Sequence, residues 1–280
     1  METLLGHIAR CNGAVLPGGR LPFLIGADQV GWVMPVLAAA LEDFDAILRG
    51  PAGVVLAEEA AADLPGIARD LARAGLMRWR GEAFDVRAQP RGPVLSTIDR
   101  GALPAFGIQA QGVHLDGLVR RPGTQGADGL HIWVGRRAAD KALDPGKLDH
   151  IVAGGMPAGL TPEETLVKEA AEEAAMPAHL ARRAVKTCTI AYAMERPEGL
   201  RRDVLHCYEV ELPEDFVPRA DDGEVAGFEL WPLARALAEV RAGDGFKFNV
   251  NVVLAALFLR HGLIAGEAAA RVRAALPLVD

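Results

Sequence analysis

Cysteine is scarce in this chain: Cys11, Cys188 and Cys207 are its only three, and no two of them form a C-x-x-C pair. That spacing excludes a disulfide framework and a zinc ribbon, and it predicts a reducing, cytoplasmic setting. Cys188 and Cys207 fall in apolar, strand-like runs and read as buried structural thiols. Long hydrophobic runs are also missing. The most apolar late segment, 250–259, is far shorter than the about 20 residues needed to cross a bilayer, so no membrane span is expected. The first residues carry Glu2 and Arg10 and lack an apolar stretch ending in a small-residue cleavage site, which predicts no secretory leader. Basic charge is not in excess: 37 Asp plus Glu against 30 Lys plus Arg give a formal charge of -7, which argues against a general nucleic-acid-backbone binder. No internal repeat or low-complexity tail is present.

What remains is a chain of 280 residues, half of them hydrophobic, enough for one large domain or two ordinary ones. In the N-terminal third, LPFLIGADQVGWVMPVLAAAL reads as a strand, a turn around Gly26 to Asp28, a second strand and a helix. Leu64, Ile67, Ala68 and Leu71 recur at helical spacing within 58–77, with Gly75 near the stop. A strand or hairpin is expected over 77–86, and a domain change around 105–115. Short strands follow: VHLDGLV and LHIWVGRR, expected to pair antiparallel across the turn PGTQGADG, then LDHIVAGG. Next come a helix over about 162–175, strands KTCTIAY and VLHCYEVEL, a loop through 221–227, and FELWPL. Val250, Val253, Leu254, Leu257 and Phe258 mark a core-facing helix over about 249–260. Strands interleaved with two well-spaced helices predict an α/β (α+β) fold with a mixed sheet covered on both faces. The expected units are an accessory α+β domain over 1–110, a main domain over 111–265 and a helical tail over 266–280.

The chemistry-bearing stretch is AGGMPAGLTPEETLVKEAAEEAAMP, where a turn at Gly154 and Gly155 feeds an acidic helix. Thr161 is placed as N-cap, Pro162 suits the first helical position, and Glu164 completes a capping-box spacing. Glu169, Glu172 and Glu173 stand at i, i+3 and i+4 and share a wedge of about 100°. Such like charges are unfavourable together unless solvated or neutralised by cations. Hard divalent cations share oxygen ligands among carboxylates, water and phosphate, so the three glutamates suit either a metal site or a solvated acidic face.

The stretch resembles the Nudix box, G-x5-E-x7-R-E-U-x-E-E-x-G-U with U aliphatic. Gly154, Glu169, Glu172, Glu173 and Met176 match, and Lys168 stands at the Arg position. Leu160 replaces the first Glu and so has no charge to pair with Lys168, and Ala175 replaces the last Gly. The R-R-x3-K, P-G-x-L-D, D-G-E-V and F-K-x-N groupings around the box resemble a Nudix subgroup related to the region fused to fungal thiamine pyrophosphokinases, with its extra N-terminal domain. The resemblance implies a Nudix α/β/α sandwich. It also implies a hydrolase that uses Mg²⁺, with Mn²⁺ as substitute, held by Glu169, Glu172 and Glu173. The implied substrate is a small-molecule diphosphate, thiamine diphosphate or its oxo or oxy analogues, cleaved to the monophosphate and phosphate. Neither nucleic acid nor membrane is an implied partner, and a homodimer is compatible with the pattern.

Within that frame Glu173, Glu172 and Glu224 are the candidate catalytic residues, Glu224 because the resembling family has an acidic residue there. An exposed loop glutamate accounts for Glu224 equally well. Arg136, Arg137 and Lys141 follow a strand and could meet a diphosphate; since adjacent strand residues face opposite sides, the two arginines should not share one job. Gly154 and Gly155 complete the expected substrate-binding set with Lys247 and Asn249, the latter also readable as an N-cap. His114, His131, His150 and His206 lie in strand-like runs without ligand spacing and read as packing or hydrogen-bonding residues. A non-catalytic Nudix-like binding module and an enzyme like isopentenyl-diphosphate isomerase are the alternatives. The intact glutamate trio disfavours the first, and the lack of a cysteine just before the Gly-rich loop disfavours the second.

Overall fold

The structure, a computed structural model, describes residues 1–121, 129–141, 143–220 and 223–279. Residues 122–128 of the expected turn, and Asp221 and Asp222 of the expected loop, lie outside the described residues.

After helix α1 (Glu2–Cys11), the N-terminal part forms the expected hairpin of β1 (Leu21–Ile25) and β2 (Asp28–Val33), followed by α2 (Pro35–Leu41). Strands β3 (Ile47–Gly50) and β4 (Gly53–Leu56) complete a four-stranded sheet of order β2-β1-β4-β3, with β1 and β4 parallel. The helical periodicity over 58–77 appears as a 3-10 turn, Glu58–Asp63, and helix α3 (Leu64–Arg73), which buries Leu64, Ile67, Ala68 and Leu71 as the spacing requires. The strand expected from residue 77 begins only at β5 (Ala83–Val86), which pairs with β6 (Ser96–Asp99). The cause is Asp99. Its buried carboxylate accepts the backbone N–H groups of Arg80, Gly81, Glu82 and Gly101, so the donors of 80–82 are satisfied outside any strand ladder.

Beyond α4 (Leu103–Phe106) the chain enters its large sheet. The strands are β7 (Gln109–Arg120), β8 (Leu130–Arg137), β9 (Leu148–Asp149) and β10 (Val152–Gly155) before helices α5 (Pro162–Ala174) and α6 (Ala178–Ala181). After these come β11 (Val185–Arg196), β12 (Gly199–Glu211), β13 (Val225–Pro232), α7 (Leu233–Ala242), α8 (Val250–Arg260), α9 (Gly266–Ala275) and β14 (Leu278–Val279). The sheet order is β13-β8-β7-β12-β11-β14, and the β7–β12 pair is parallel, which makes the sheet mixed. The expected antiparallel pairing of β7 with β8 covers only Leu118, Val119 and Arg120, because the earlier part of the same β7 edge pairs with β10.

Helices cover both faces. On one, α5 and α6 pack Leu166, Ala170 and Leu180 against Val113, Leu115 and Tyr208. On the other, α1, α7, α8 and α9 pack against Ile190, Leu205 and their neighbours, and α1 contributes Leu4, Ile8 and Cys11 to this cluster although it lies inside the 1–110 span. Helix α8 is therefore buried nearly all round rather than on one face, Asn251 included. Among the described residues no helix is long and apolar enough to cross a membrane.

Helix α5 begins as its cap residues predict: Glu164 N–H donates to Thr161 Oγ1 at 3.2 Å, and Thr161 N–H donates to Glu164 Oε2 at 2.9 Å. It ends at Ala175, which adopts the left-handed conformation, φ +49°, and donates its N–H to Ala170 O. A β-carbon is costly in that conformation by about 1–2 kcal/mol. Ala175→Gly should therefore raise stability by about 1 kcal/mol, read as a higher urea midpoint at unchanged slope.

Candidate active site

The site is assembled where β10 meets α5. The β10–β7 register sets Ala153 opposite His114, Gly154 opposite Val113 and Gly155 opposite Gly112. Both glycines in β10 are there for want of room: a Cβ at 154 would overlap the Glu169 carboxylate, and a Cβ at 155 would stand 2.6 Å from Phe84 Cζ. The helix face carrying Glu169 can thus lie directly on the strand.

The three glutamates share that face but not one point. Glu173 turns inward, 9% exposed, and accepts the Ala153 N–H at 2.8 Å. Burial pushes its carboxyl up to about 8, against the lowering effect of that hydrogen bond. Glu169 is also raised, chiefly by burial, while Lys168 draws it the other way. Lys168 Nζ lies 2.9 Å from Glu169 Oε1 and 2.6 Å from Glu172 Oε2, with Glu172 half exposed. The expected convergence on one ion is accordingly absent from this arrangement: among the described residues no three acidic, His or Cys side chains stand together as a ligand set. Mutual repulsion explains the divergence, one carboxylate taking a backbone donor and the other two a shared ammonium. The donor chemistry still suits a hard divalent cation, since the carboxylates adjoin a stretch of backbone without side chains at Gly154 and Gly155.

On the other side of β10 lies a cavity of about 270 Å³, lined by Gly154, Gly155, Arg137, Lys141, Glu224, Lys247 and Asn249 among others. Seven of the expected site residues therefore meet in one cavity. Arg137 Nη1 donates to Asp149 Oδ2 at 2.9 Å, and its other nitrogens hold the carbonyls of Leu143 and Asp144. Lys247 Nζ, buried, stands 3.3 Å from the same Asp149 oxygen. Burial would raise the Asp149 carboxyl, but Lys247, His150 and Arg137 outweigh it and hold it at about 2. Lys141 Nζ is 2.6 Å from Glu224 Oε2; burial raises that carboxyl and Lys141 more than reverses it. Arg136, on the opposite face of β8, lies outside the cavity and donates to Gly146 O.

Asn249 does not cap α8. Its side chain makes no cap hydrogen bond, and its Oδ1 is buried at the cavity wall without a partner among the described residues. His114 lies on the same wall, its Nδ1 without a partner among the described residues, and is held uncharged, first by burial and then by His150. His150 itself is paired with Asp116 at 2.7 Å. Cys188 and Cys207 face each other across β11 and β12 and do not line the cavity.

Residues 78–108 also supply part of the lining, including Arg78, Arg80, Phe84 and Arg100, none of which the sequence placed in the site. Arg80 is the first of the three residues whose amides Asp99 holds, and Arg100 follows Asp99 directly; a contact between units distant in the chain leaves no periodic trace.

The family described as "NUDIX domain" matches residues 115–249, and the one described as "Domain of unknown function (DUF4743)" matches residues 3–110. Nudix hydrolase 24, chloroplastic, of Arabidopsis thaliana is 35% identical over 278 residues, covering 95% of this chain and 75% of that protein. Nudix hydrolase 20, chloroplastic, of the same plant is 34% identical over 278 residues, covering 93% and 73%. The crystal structure of DR0079 from Deinococcus radiodurans covers 62% of this chain and 97% of its own, at 23% identity and a TM-score of 0.45.

Asp149 is the buried counter-charge for two cations, so Asp149→Asn should cost about 3–5 kcal/mol at pH 7. Its folded-state pKa lies below the unfolded value of 3.8, so the stabilisation is present above that pH and is lost as pH falls towards about 2. Urea denaturation should show the gap between wild type and variant closing over that window.

Proposed function

The chain belongs to the Nudix hydrolase family, and on that premise we propose that it hydrolyses a small-molecule diphosphate to a monophosphate and phosphate. The observation that carries this reading is the apposition across β10 of the Glu169, Glu172 and Glu173 face with the cavity holding Arg137, Lys141 and Lys247. Carboxylates for a divalent cation and cations for phosphate oxygens are the two charge sets that cleavage of a phosphoanhydride needs.

In this reading Glu169, Glu172 and Glu173 would hold Mg²⁺, with Mn²⁺ as substitute. When bound there, the cation would supply charge neutralisation for phosphate oxygens and a lowered pKa for the attacking water. Lys168 must then give up Glu169 and Glu172, and Glu173 its proton. Arg137 and Lys247, already fixed by Asp149, present preorganised positive charge to the diphosphate, with Gly154 and Gly155 allowing close approach. Lys141 would exchange Glu224 for a phosphate oxygen, and Glu224 would accept the proton of the attacking water.

The finer proposal for substrate is thiamine diphosphate or its oxo or oxy damaged forms. It is supported by the groupings around Arg137, Lys141, Asp149, Lys247 and Asn249. It is supported too by a cavity wall whose neutral His114 and unpartnered Asn249 Oδ1 suit a hydrogen-bonding heteroaromatic head.

Incubation of the protein and Mg²⁺ with thiamine diphosphate, its oxo and oxy analogues, ADP-ribose, dinucleotides and isopentenyl diphosphate, followed by mass spectrometry, tests both levels. Monophosphate release from the thiamine series is expected; release only from another diphosphate removes the finer reading, and release from none removes the coarser one. Glu173→Gln keeps an acceptor for the Ala153 N–H and should keep the fold, while turnover falls by about 100-fold or more. Unchanged turnover would take Glu173 out of the catalytic set.

A further inference from the structure

The loop between β10 and α5, residues 156–161, determines how the glutamate helix sits on its strand, and most of what holds it comes from elsewhere. The α5 helix reaches it through the Glu164–Thr161 cap. Leu160 has no charge to offer Lys168, whose ammonium is taken by Glu169 and Glu172. Within the loop Leu160 N–H donates to Pro157 O, and the β5 strand of the N-terminal unit supplies two further acceptors. Ala158 N–H donates to Ala83 O at 2.8 Å, and Gly159 N–H donates to Asp85 Oδ1 at 3.2 Å. Asp85 is itself buried and oriented by Arg87, 2.9 Å from its other oxygen. Between these two residues Phe84 packs its ring onto Gly155, with Arg100 behind it. Met156 N–H donates to Gln111 O, and Gln111 Nε2 reaches back to Pro90 O.

We propose that the N-terminal unit is a working part of the hydrolytic site: β5 braces the 156–161 loop, Asp85 is a positioning residue, and Phe84 with Arg100 closes the cavity against Gly155. The inference rests on the hydrolase reading for its effect on turnover, but the brace itself does not. Backbone donors in a loop must find acceptors, and here two of them find those acceptors on a single strand far away in sequence. A fixed loop fixes β10 against α5, and displacements of about 1 Å at such a junction cost up to about 100-fold in rate. The phosphate-binding cations sit on other elements, so binding should suffer less than turnover.

The test uses the full chain. Asp85→Ala should lower kcat about tenfold on the diphosphate that the wild type cleaves, with KM within about twofold, and should speed amide exchange in the 156–161 peptide. Asp85→Asn retains the Oδ1 acceptor and should keep both near wild type; loss of kcat equal to that of Asp85→Ala would overturn the role given to the acceptor. Wild-type kcat in Asp85→Ala overturns the proposal. If the wild type cleaves no diphosphate, the hydrolase reading fails separately, and unchanged exchange in Asp85→Ala would then overturn the brace. If Asp85→Ala does not fold, Gly155→Ala drives the same wall away from the loop. It should lose kcat and regain part of it with Phe84→Leu, whereas no recovery in the double variant overturns the proposal.

Discussion

The contact between helix α5 and the side-chain-free end of β10 is the constraint on which the rest of the site depends. Because Gly154 has no Cβ, Glu169 lies on the strand, and because the helix is that close, Glu173 reaches the Ala153 N–H. The cost is electrostatic: a carboxylate buried with one backbone donor prefers its proton, and its pKa rises to about 8. Glu169 on the same face is raised by burial as well, with Lys168 drawing it the other way.

A second charge set lies across the strand and is arranged oppositely. Asp149 is buried between Arg137 and Lys247 and is held ionised by them, so the cations are fixed in place before any phosphate arrives. One carboxylate cannot neutralise two cations, and the surplus faces the cavity. The protein therefore keeps its excess negative charge behind β10 and its excess positive charge in front of it, separated by backbone alone. Phosphate oxygens in the cavity would be drawn to the cations directly and to a metal held by the glutamates.

Periodicity made much of this legible. The i, i+3, i+4 spacing placed the glutamates on one face, Thr161 and Glu164 marked the helix start, and strand alternation separated Arg137 from Arg136. What periodicity does not encode is the direction a side chain takes once it meets its neighbours. Lys168 separated Glu169 and Glu172 from an ideal cluster, and Asn249, a good cap by residue type, carries an unpartnered oxygen at the cavity wall instead. Asp99 was illegible for the same reason. Its four backbone partners lie up to 19 residues away, and they turned an expected strand into a loop. The placement of α1 with the large sheet, far from its sequence neighbours, likewise follows from long-range burial of Leu4 and Ile8.

The two departures from the Nudix motif are accommodated by different physics. At Ala175 the backbone keeps the left-handed turn that glycine would take freely, and the strain stays local, one residue in an unfavourable region with its N–H still bonded. At Leu160 the loop offers no carboxylate to Lys168, which binds Glu169 and Glu172 on its own helix instead, and the loop is secured from outside by Ala83, Phe84 and Asp85. The first departure is accommodated within the C-terminal unit. The second ties it to the N-terminal unit, since a loop whose amides donate to β5 loses those acceptors when β5 is absent. Joined through that loop, the two units share one cavity, to whose wall the N-terminal unit contributes Arg78, Arg80, Phe84 and Arg100.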